Sequence, residues 1–112
     1  GKKFRISRRR DIRRVFRAGR RVRDGQVTLL ALANADSAPA RRFAVVVSRR
    51  HGPAVRRNRI KRLYREAFRL VRDRLPEGFD YVVVPRIGAM PNLGELREAI
   101  VALAGQAVAA GL

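Results

Sequence analysis

The clearest pattern of apolar and polar positions along the chain lies between Ser48 and Leu75. With a step of about 100° per residue, apolar and aromatic residues collect on one side of a helix. These residues are Ile60, Leu63, Tyr64, Ala67, Phe68 and Val71. The opposite side carries almost only cations, so the segment predicts an amphipathic helix with a buried apolar face and a basic solvent face.

A shorter apolar pattern near the start of the chain predicts a first helix, with Ser7 as its N-cap and Gly19 as its C-terminal stop. Its apolar positions are Ile12, Val15 and Phe16. Such a helix is too short to be stable alone, so its apolar face must dock on the rest of the domain. Residues 1–6 before it predict a mobile basic arm, and residues 20–25 after it predict a turn-like connection.

Two segments between these helices alternate in the manner of β-strands. They are Gln26–Ala33 and Arg42–Ser48, and the residues between them have a turn composition. The short connection predicts an antiparallel hairpin. One face of the two strands carries small or polar residues, namely Thr28, Ala44 and Ser48, so we expect this face to be the less completely covered one.

The last third of the chain predicts one more strand and one more helix. Tyr81–Val84 is nearly all apolar and is ended by Pro85, which indicates a strand buried on both faces. Because the central helix separates this strand from the preceding one, the three elements predict a βαβ unit with one parallel pairing. Asn92, with Glu95 three residues later, predicts the start of the last helix. Its apolar stripe is Leu96, Ile100, Leu103, Ala107 and Val108.

Together these elements predict a single α+β domain over residues 1–112, in the element order α-β-β-α-β-α. We expect a two-layer α/β sandwich whose small sheet is mostly antiparallel and contains the one parallel pairing. A chain of 112 residues is long enough for one hydrophobic core and too short for two ordinary domains.

Charge adds a prediction about function, because 27 Lys and Arg stand against nine Asp and Glu and give a net charge of +18. Residues 1–74 carry 25 basic and five acidic side chains, whereas residues 75–112 carry two and four. Such a bias predicts a nucleic-acid partner or another anionic surface. Like charges at i,i+4 destabilise an isolated helix, so the basic face of the central helix favours a polyanion as its partner.

The residues that could support catalysis are few. The acidic side chains are dispersed, and Asp11, Glu66 and Asp73 balance helix charge more readily than they form a two-metal nuclease site. The only histidine, His51, has no evident catalytic partner and is assigned to a loop or to a phosphate contact. We therefore predict no catalytic residue and no protein-bound metal. The lack of Cys and of a membrane-spanning apolar run favours the cytoplasm and no membrane partner.

The start of the central helix predicts a phosphate contact, because backbone amides at a helix N-terminus attract phosphate. Arginines surround this point, namely Arg49, Arg50, Arg56 and Arg57. Phe16 has two interpretations that remain open: it anchors the first helix, or it is a stacking platform for an unpaired base.

The string AVRRNRIKRLYREAFR, preceded by VSRRHG, closely resembles the motif of the bacterial ribonuclease P protein subunit family. In that family an Arg-Asn-Arg motif, followed by Lys-Arg and a further Arg, opens the central helix. The matching residues are Arg57, Asn58, Arg59, Lys61, Arg62 and Arg65. The pattern of the first helix and the order of the later elements agree as well, so the resemblance covers nearly the whole chain.

This resemblance implies a protein cofactor of a large catalytic RNA, which removes the 5′ leader of precursor tRNA by endonucleolytic hydrolysis with RNA-bound Mg²⁺. The implied partners are the catalytic RNA and precursor tRNA, with no obligate protein partner. The motif residues and Arg69 are expected to contact the catalytic RNA. A cleft between the first helix, the central helix and one sheet face is expected to hold the leader. By position, its residues are Ile12, Phe16, Leu30, Val46, Ser48, Arg50 and Ala54, with Arg57 as a further candidate.

Two positions depart from the family pattern. The family often has Phe in place of Ile12, which weakens the case for base stacking there, and it usually has an apolar residue in place of His51. The resemblance also implies a left-handed crossover in the βαβ unit, against the right-handed rule.

Three other functions have the same basic composition. A structural RNA-binding protein, such as a ribosomal component, is the main alternative. A DNA-binding module would place the central helix in the major groove, although the sequence has no dimer seam. A protein-only nuclease would cleave without RNA.

Overall fold

The computed structural model describes residues 4–34 and 41–110. Within them the chain forms three α-helices and a four-stranded sheet. The helices are α1 (Arg9–Ala18), α2 (Ala54–Val71) and α3 (Leu93–Ala110), and the strands are β1 (Arg20–Arg23), β2 (Val27–Ala33), β3 (Arg41–Val45) and β4 (Phe79–Pro85). This is the predicted α+β class, with one strand more than expected.

The order of strands in the sheet is β1-β2-β4-β3. β4 pairs in parallel with β3, as predicted for the βαβ unit, and antiparallel with β2. The hairpin predicted between Gln26–Ala33 and Arg42–Ser48 is therefore wrong, because β4 lies between the corresponding strands β2 and β3. Its apolar residues, buried on both faces, suit the centre of the sheet better than an edge. The left-handed crossover remains a prediction from the family resemblance.

The sequence prediction of a turn over residues 20–25 is also wrong for its first part, since β1 pairs antiparallel with β2. The turn is only Asp24 to Gln26, where the Asp24 carboxylate accepts hydrogen bonds from the backbone N–H groups of Gln26 at 2.7 Å and Val27 at 2.9 Å. An aspartate that bonds the following backbone in this way stabilises a tight turn. The Asp-Gly pair between Val22 and Val27 was the feature of the sequence that could have predicted the hairpin of β1 and β2.

The two faces of the sheet are covered unequally. α2 and α3 pack on one face and bury the larger core, which contains Leu29, Phe43, Tyr81 and Val83. The apolar face predicted for α2 is part of this core: Ile60, Tyr64, Ala67, Phe68 and Val71 are buried, and Leu63 is partly buried. The other face carries only a small cluster under α1, made by Ile6, Val15, Leu30, Ala44 and Val82. The prediction of a less completely covered face is thus confirmed.

The ends of the helices differ in how they are held. Arg8, not Ser7, is the N-cap of α1, and it makes no side-chain cap hydrogen bond. The Gly19 N–H donates to the Val15 carbonyl at 2.7 Å and ends the helix as predicted. At the start of α3, the Glu95 N–H donates to the Asn92 side chain at 2.8 Å, which confirms the predicted cap.

The N-terminal segment is held against the sheet from Phe4 onward, so the expected mobile arm is wrong for residues 4–6. Arg5 forms a parallel bridge with Phe43, and the Ile6 N–H donates to the Phe43 carbonyl at 2.9 Å. Ile6 is buried in the smaller core. Residues 1–3 lie outside the described part of the chain.

Candidate nucleic-acid interface

The predicted RNA-contacting residues form one basic face of α2. Asn58, Arg59, Arg62, Arg65 and Arg69 are exposed, whereas Arg57 and Lys61 are half-buried. The buried Nε–H of Arg57 has no hydrogen-bond partner among the described residues. Because the apolar residues of α2 face the core, the helix presents the five exposed side chains of this set together to solvent.

Part of this basic face borders a cavity of about 470 Å³ between α2, the edge strand β3 and the N-terminal segment. Its lining includes Arg5, Arg62, Arg65 and Arg72. Burial, and secondarily the positive charge of Arg5, lower the pKa of Arg65. Like charges held this close together attract an anion, because a bound phosphate would relieve their repulsion.

The cavity has aromatic supports and one internal counter-charge. Phe43 and Phe68 stack with their ring centroids 4.1 Å apart, and the Arg72 guanidinium lies 3.7 Å above the Phe4 ring centroid. Glu66 forms a bidentate pair with Arg69 at 2.5 and 3.1 Å. The hydrogen bonds from Arg69 lower the pKa of Glu66. Arg69 is therefore partly neutralised, and Arg62 and Arg65 are the stronger candidates for phosphate contacts.

The second predicted site lies on the less covered sheet face. Ile12 and Val46 are partly buried around the small core of this face, and Phe16 beside them is 36% exposed. Leu30 is only 1% exposed, so it supports this surface from below and offers no contact area itself. Ala54 is exposed at the first position of α2.

Ser48 and Arg50 line a groove of about 750 Å³ at the end of the same sheet face. We call this the end groove. Its other basic lining residues are Arg23 and Arg86. Thr28 and Val84, which are register partners in the sheet, also line it. Arg23 and Arg86 were not predicted from the sequence. They lie at the ends of strands that come together only in the folded sheet, and isolated arginines in a chain this basic carry no signal of their own.

His51 closes the back of the end groove instead of contacting solvent. It is 6% exposed and lies in a 3₁₀ turn, Arg49–His51. The Ser48 N–H donates to its Nδ1 at 3.0 Å, so the ring proton is on Nε2, which donates to the Pro85 carbonyl at 2.7 Å. With both ring nitrogens used within the protein, His51 is not available for the phosphate contact suggested by the sequence.

Neither a metal centre nor a membrane span is evident in the described ranges, 4–34 and 41–110. There, no three acidic, His or Cys side chains come together in a way that could hold a metal ion. No helix of this part of the chain is long and apolar enough to cross a bilayer. The chemistry that these surfaces support is the binding of phosphates and unpaired bases.

The fold and the two surfaces define a small α+β protein built to bind nucleic acid. The family model described as "Ribonuclease P" matches residues 1–108. The chain therefore belongs to the ribonuclease P protein family, whose members are the protein component of an endoribonuclease that also contains RNA.

Two curated relatives carry the name "Ribonuclease P protein component". The one from Oleidesulfovibrio alaskensis is 45% identical over 82 residues, which are 73% of this chain and 66% of the relative. The one from Chlamydia muridarum is 41% identical over 95 residues, 85% of this chain and 78% of the relative. Among solved structures, the RNase P protein from Thermotoga maritima is similar with a TM-score of 0.80 and 32% identity, over 91% of this chain and 96% of that one.

Proposed function

We propose that this chain is the protein subunit of a ribonuclease P ribonucleoprotein that removes the 5′ leader of precursor tRNA. In this proposal the basic face of α2 docks on the catalytic RNA, through Arg57, Asn58, Arg59, Lys61, Arg62, Arg65 and Arg69. The less covered sheet face and the end groove bind the single-stranded leader. The RNA, with its bound Mg²⁺, supplies the hydrolytic chemistry.

The observation that carries the proposal is the separation of two different surfaces on one small domain. The α2 face is largely exposed and basic, which suits the phosphates of a folded RNA. The sheet face combines apolar side chains with arginines at its end groove, which suits a single strand whose bases stack and whose phosphates bind cations. A structural RNA-binding protein has need of the first surface only.

On the sheet face, Ile12, Phe16 and Val46 provide partly exposed apolar area beside α1. Ser48 and Arg50, together with Arg23 and Arg86, add polar and cationic groups at the end groove. A leader that runs from α1 toward the end groove would meet apolar contacts first and cations second. Ala54 at the start of α2 and the nearby Arg57 join the two surfaces.

The test is the affinity of the reconstituted ribonucleoprotein for a precursor tRNA and for the same tRNA without its leader. We define leader discrimination as the ratio of these two affinities. We expect tighter binding of the precursor when the protein is present and little discrimination by the RNA alone. Equal affinities in the presence of the protein would contradict the leader site. The docking surface would be tested separately by the salt dependence of assembly.

A further inference from the structure

The end groove has walls that come from three separate parts of the chain. The 3₁₀ turn and its N-cap contribute Arg50 and Ser48, the end of β1 and the turn after it contribute Arg23 and Asp24, and the end of β4 contributes Pro85 together with the residues that follow it. These three segments are not adjacent to one another in the sequence. The width of the groove therefore depends on the contacts that join them.

One of these contacts is made by Arg86. Its backbone N–H donates to the Gln26 carbonyl at 2.9 Å, and its guanidinium donates to the Gly25 carbonyl at 3.0 Å. These bonds tie the β1–β2 turn to the end of β4. They involve groups that keep their charge over the whole physiological pH range.

The other contact is made by His51. Its Nε2–H donates to the Pro85 carbonyl, and its Nδ1 accepts from the Ser48 N–H, with the Ser48 hydroxyl 3.3 Å from the same nitrogen. The Ser48 hydroxyl in turn accepts from the Arg50 N–H at 3.3 Å. The imidazole thus connects the end of β4 to both ends of the turn that carries Arg50.

The chain leaves this turn through Gly52, which has a φ of 118°. A side chain there would be strained, and a Cβ would lie 2.8 Å from the Cδ of Arg56. The turn is therefore constrained on its α2 side by Gly52. On its sheet side, the described contacts that fix it to Pro85 come from the imidazole of His51.

Resting on the proposed leader-binding function, we propose that His51 is a positioning residue for the end groove. Its neutral ring holds the Arg50 turn against β4 and so sets the position of Arg50 in the end groove. A protonated ring carries a hydrogen on Nδ1 and cannot accept from the Ser48 N–H. Protonation of His51 therefore replaces this hydrogen bond with two N–H groups that point at each other. It loosens the part of the groove wall that carries Arg50.

Leader discrimination should then fall once the pH is low enough to protonate this ring. Histidine is the side chain whose ordinary charge change falls between about pH 5 and pH 8, and this chain contains one histidine. The charged groups around His51 are Arg23, Asp24, Arg50 and Arg86 in the groove and Arg56 beside Gly52. Arginine does not change its charge in this range, and an ordinary aspartate is ionised throughout it.

The experiment measures leader discrimination by the reconstituted ribonucleoprotein at about pH 8 and about pH 5.5, two values within the range in which histidine side chains generally change their charge. Ca²⁺ replaces Mg²⁺ to slow cleavage during binding. Protonation of His51 should lower discrimination by the unaltered protein by at least about threefold, the effect of removing one hydrogen bond. An increase at low pH would overturn the proposal, because it would indicate that a protonated His51 attracts RNA phosphate directly.

Two variants separate positioning from simple stability. His51→Leu removes both hydrogen bonds and should show low discrimination that no longer changes with pH. In His51→Asn the carboxamide oxygen keeps an acceptor for the Ser48 N–H, so discrimination should stay closer to that of the unaltered protein, again without pH dependence. Gln106→Leu, at an exposed position of α3 outside the groove, is the matched control and should keep the original pH profile.

The outcomes distinguish this proposal from the function on which it rests. If the unaltered protein discriminates and His51→Leu discriminates equally well at about pH 8, His51 has no positioning role and the leader site stands. If the unaltered protein does not discriminate at about pH 8, the leader site itself is wrong. Circular dichroism at both pH values shows whether each variant is folded, and the pH profile of the unaltered protein needs no variant at all.

Discussion

Arg42 lies at the centre of an ion-pair network that joins three parts of the fold. It forms two hydrogen bonds with the buried Asp80 carboxylate, at 2.7 and 2.9 Å, and lies 3.8 Å from Asp11 on α1. The Asn34 amide donates to the same carboxylate at 2.8 Å. The hydrogen bonds with Asp80 raise the pKa of Arg42. This network fixes β3 to β4 and brings the first turn of α1 toward the sheet.

This network could not be predicted from the sequence, because its members are far apart in the chain and each resembles an ordinary surface charge. The same reason explains why Arg23 and Arg86 were missed in the end groove. Ser48 and Arg50 were placed correctly beside the less covered face, because the family motif specifies them by position. Their role in leader binding remains a prediction.

We predict that Arg42→Ala lowers the free energy of unfolding by about 3 kcal/mol, because it leaves the Asp80 carboxylate buried without its cation. The measurement is urea unfolding followed by circular dichroism. Arg74→Ala is the control, since it breaks a bidentate pair with Glu98 that is exposed at both partners and should have a much smaller effect. Equal destabilisation by the two substitutions would contradict the importance assigned to the buried pair.

Among the elements, the long helices were predictable and the strand order was not. The periodicity of α2 and α3 extends over many residues and identified their buried faces, whereas β1 has four residues, three of them arginine. The apolar composition of β4 suits the interior of the sheet, but composition could not show which strands would lie on either side of it. β4 was correctly predicted to be buried on both faces, yet its position between β2 and β3 follows only from tertiary packing.

The junction between α1 and β1 depends on Gly19. A Cβ at this position would lie 2.5 Å from the Val15 carbonyl oxygen and 3.1 Å from that of Ala31. We predict that Gly19→Ala destabilises the fold by about 1–3 kcal/mol, because backbone atoms must move. Gly25→Ala is the matched control, since no atom lies within 4 Å of its added Cβ and a change within about 0.5 kcal/mol is expected. Thermal unfolding of both variants measures the difference, and a neutral Gly19→Ala would contradict this close approach.

The basic face of α2 makes a prediction about assembly with the catalytic RNA. Arg62→Ala with Arg65→Ala should weaken binding and should flatten the plot of log affinity against log salt by about 0.9 for each phosphate that the protein no longer neutralises. Arg13→Ala with Arg14→Ala removes the same charge from exposed positions of α1 and is the control. If the two pairs of substitutions change the slope equally, net charge and not the α2 face determines docking.

At the scale of the whole molecule, the charge distribution and the fold divide the chain in the same way. Residues 1–74, with 25 of the 27 basic side chains, supply α1, β1, β2, β3 and α2, which carry most of both proposed RNA surfaces. Residues 75–112 supply the interior strand β4 and α3, which mainly build the core. The uneven charge along the sequence agrees with this division, because a binding surface needs exposed charge and a core excludes it.

The most direct test of the proposed function compares precursor-tRNA processing by the protein freed of RNA, by the catalytic RNA alone, and by the two together at low Mg²⁺. We expect no cleavage by the protein alone, weak cleavage by the RNA and a large stimulation when both are present. Cleavage of the leader by the RNA-free protein would contradict the proposal, because the hydrolytic groups would then have to lie on this chain.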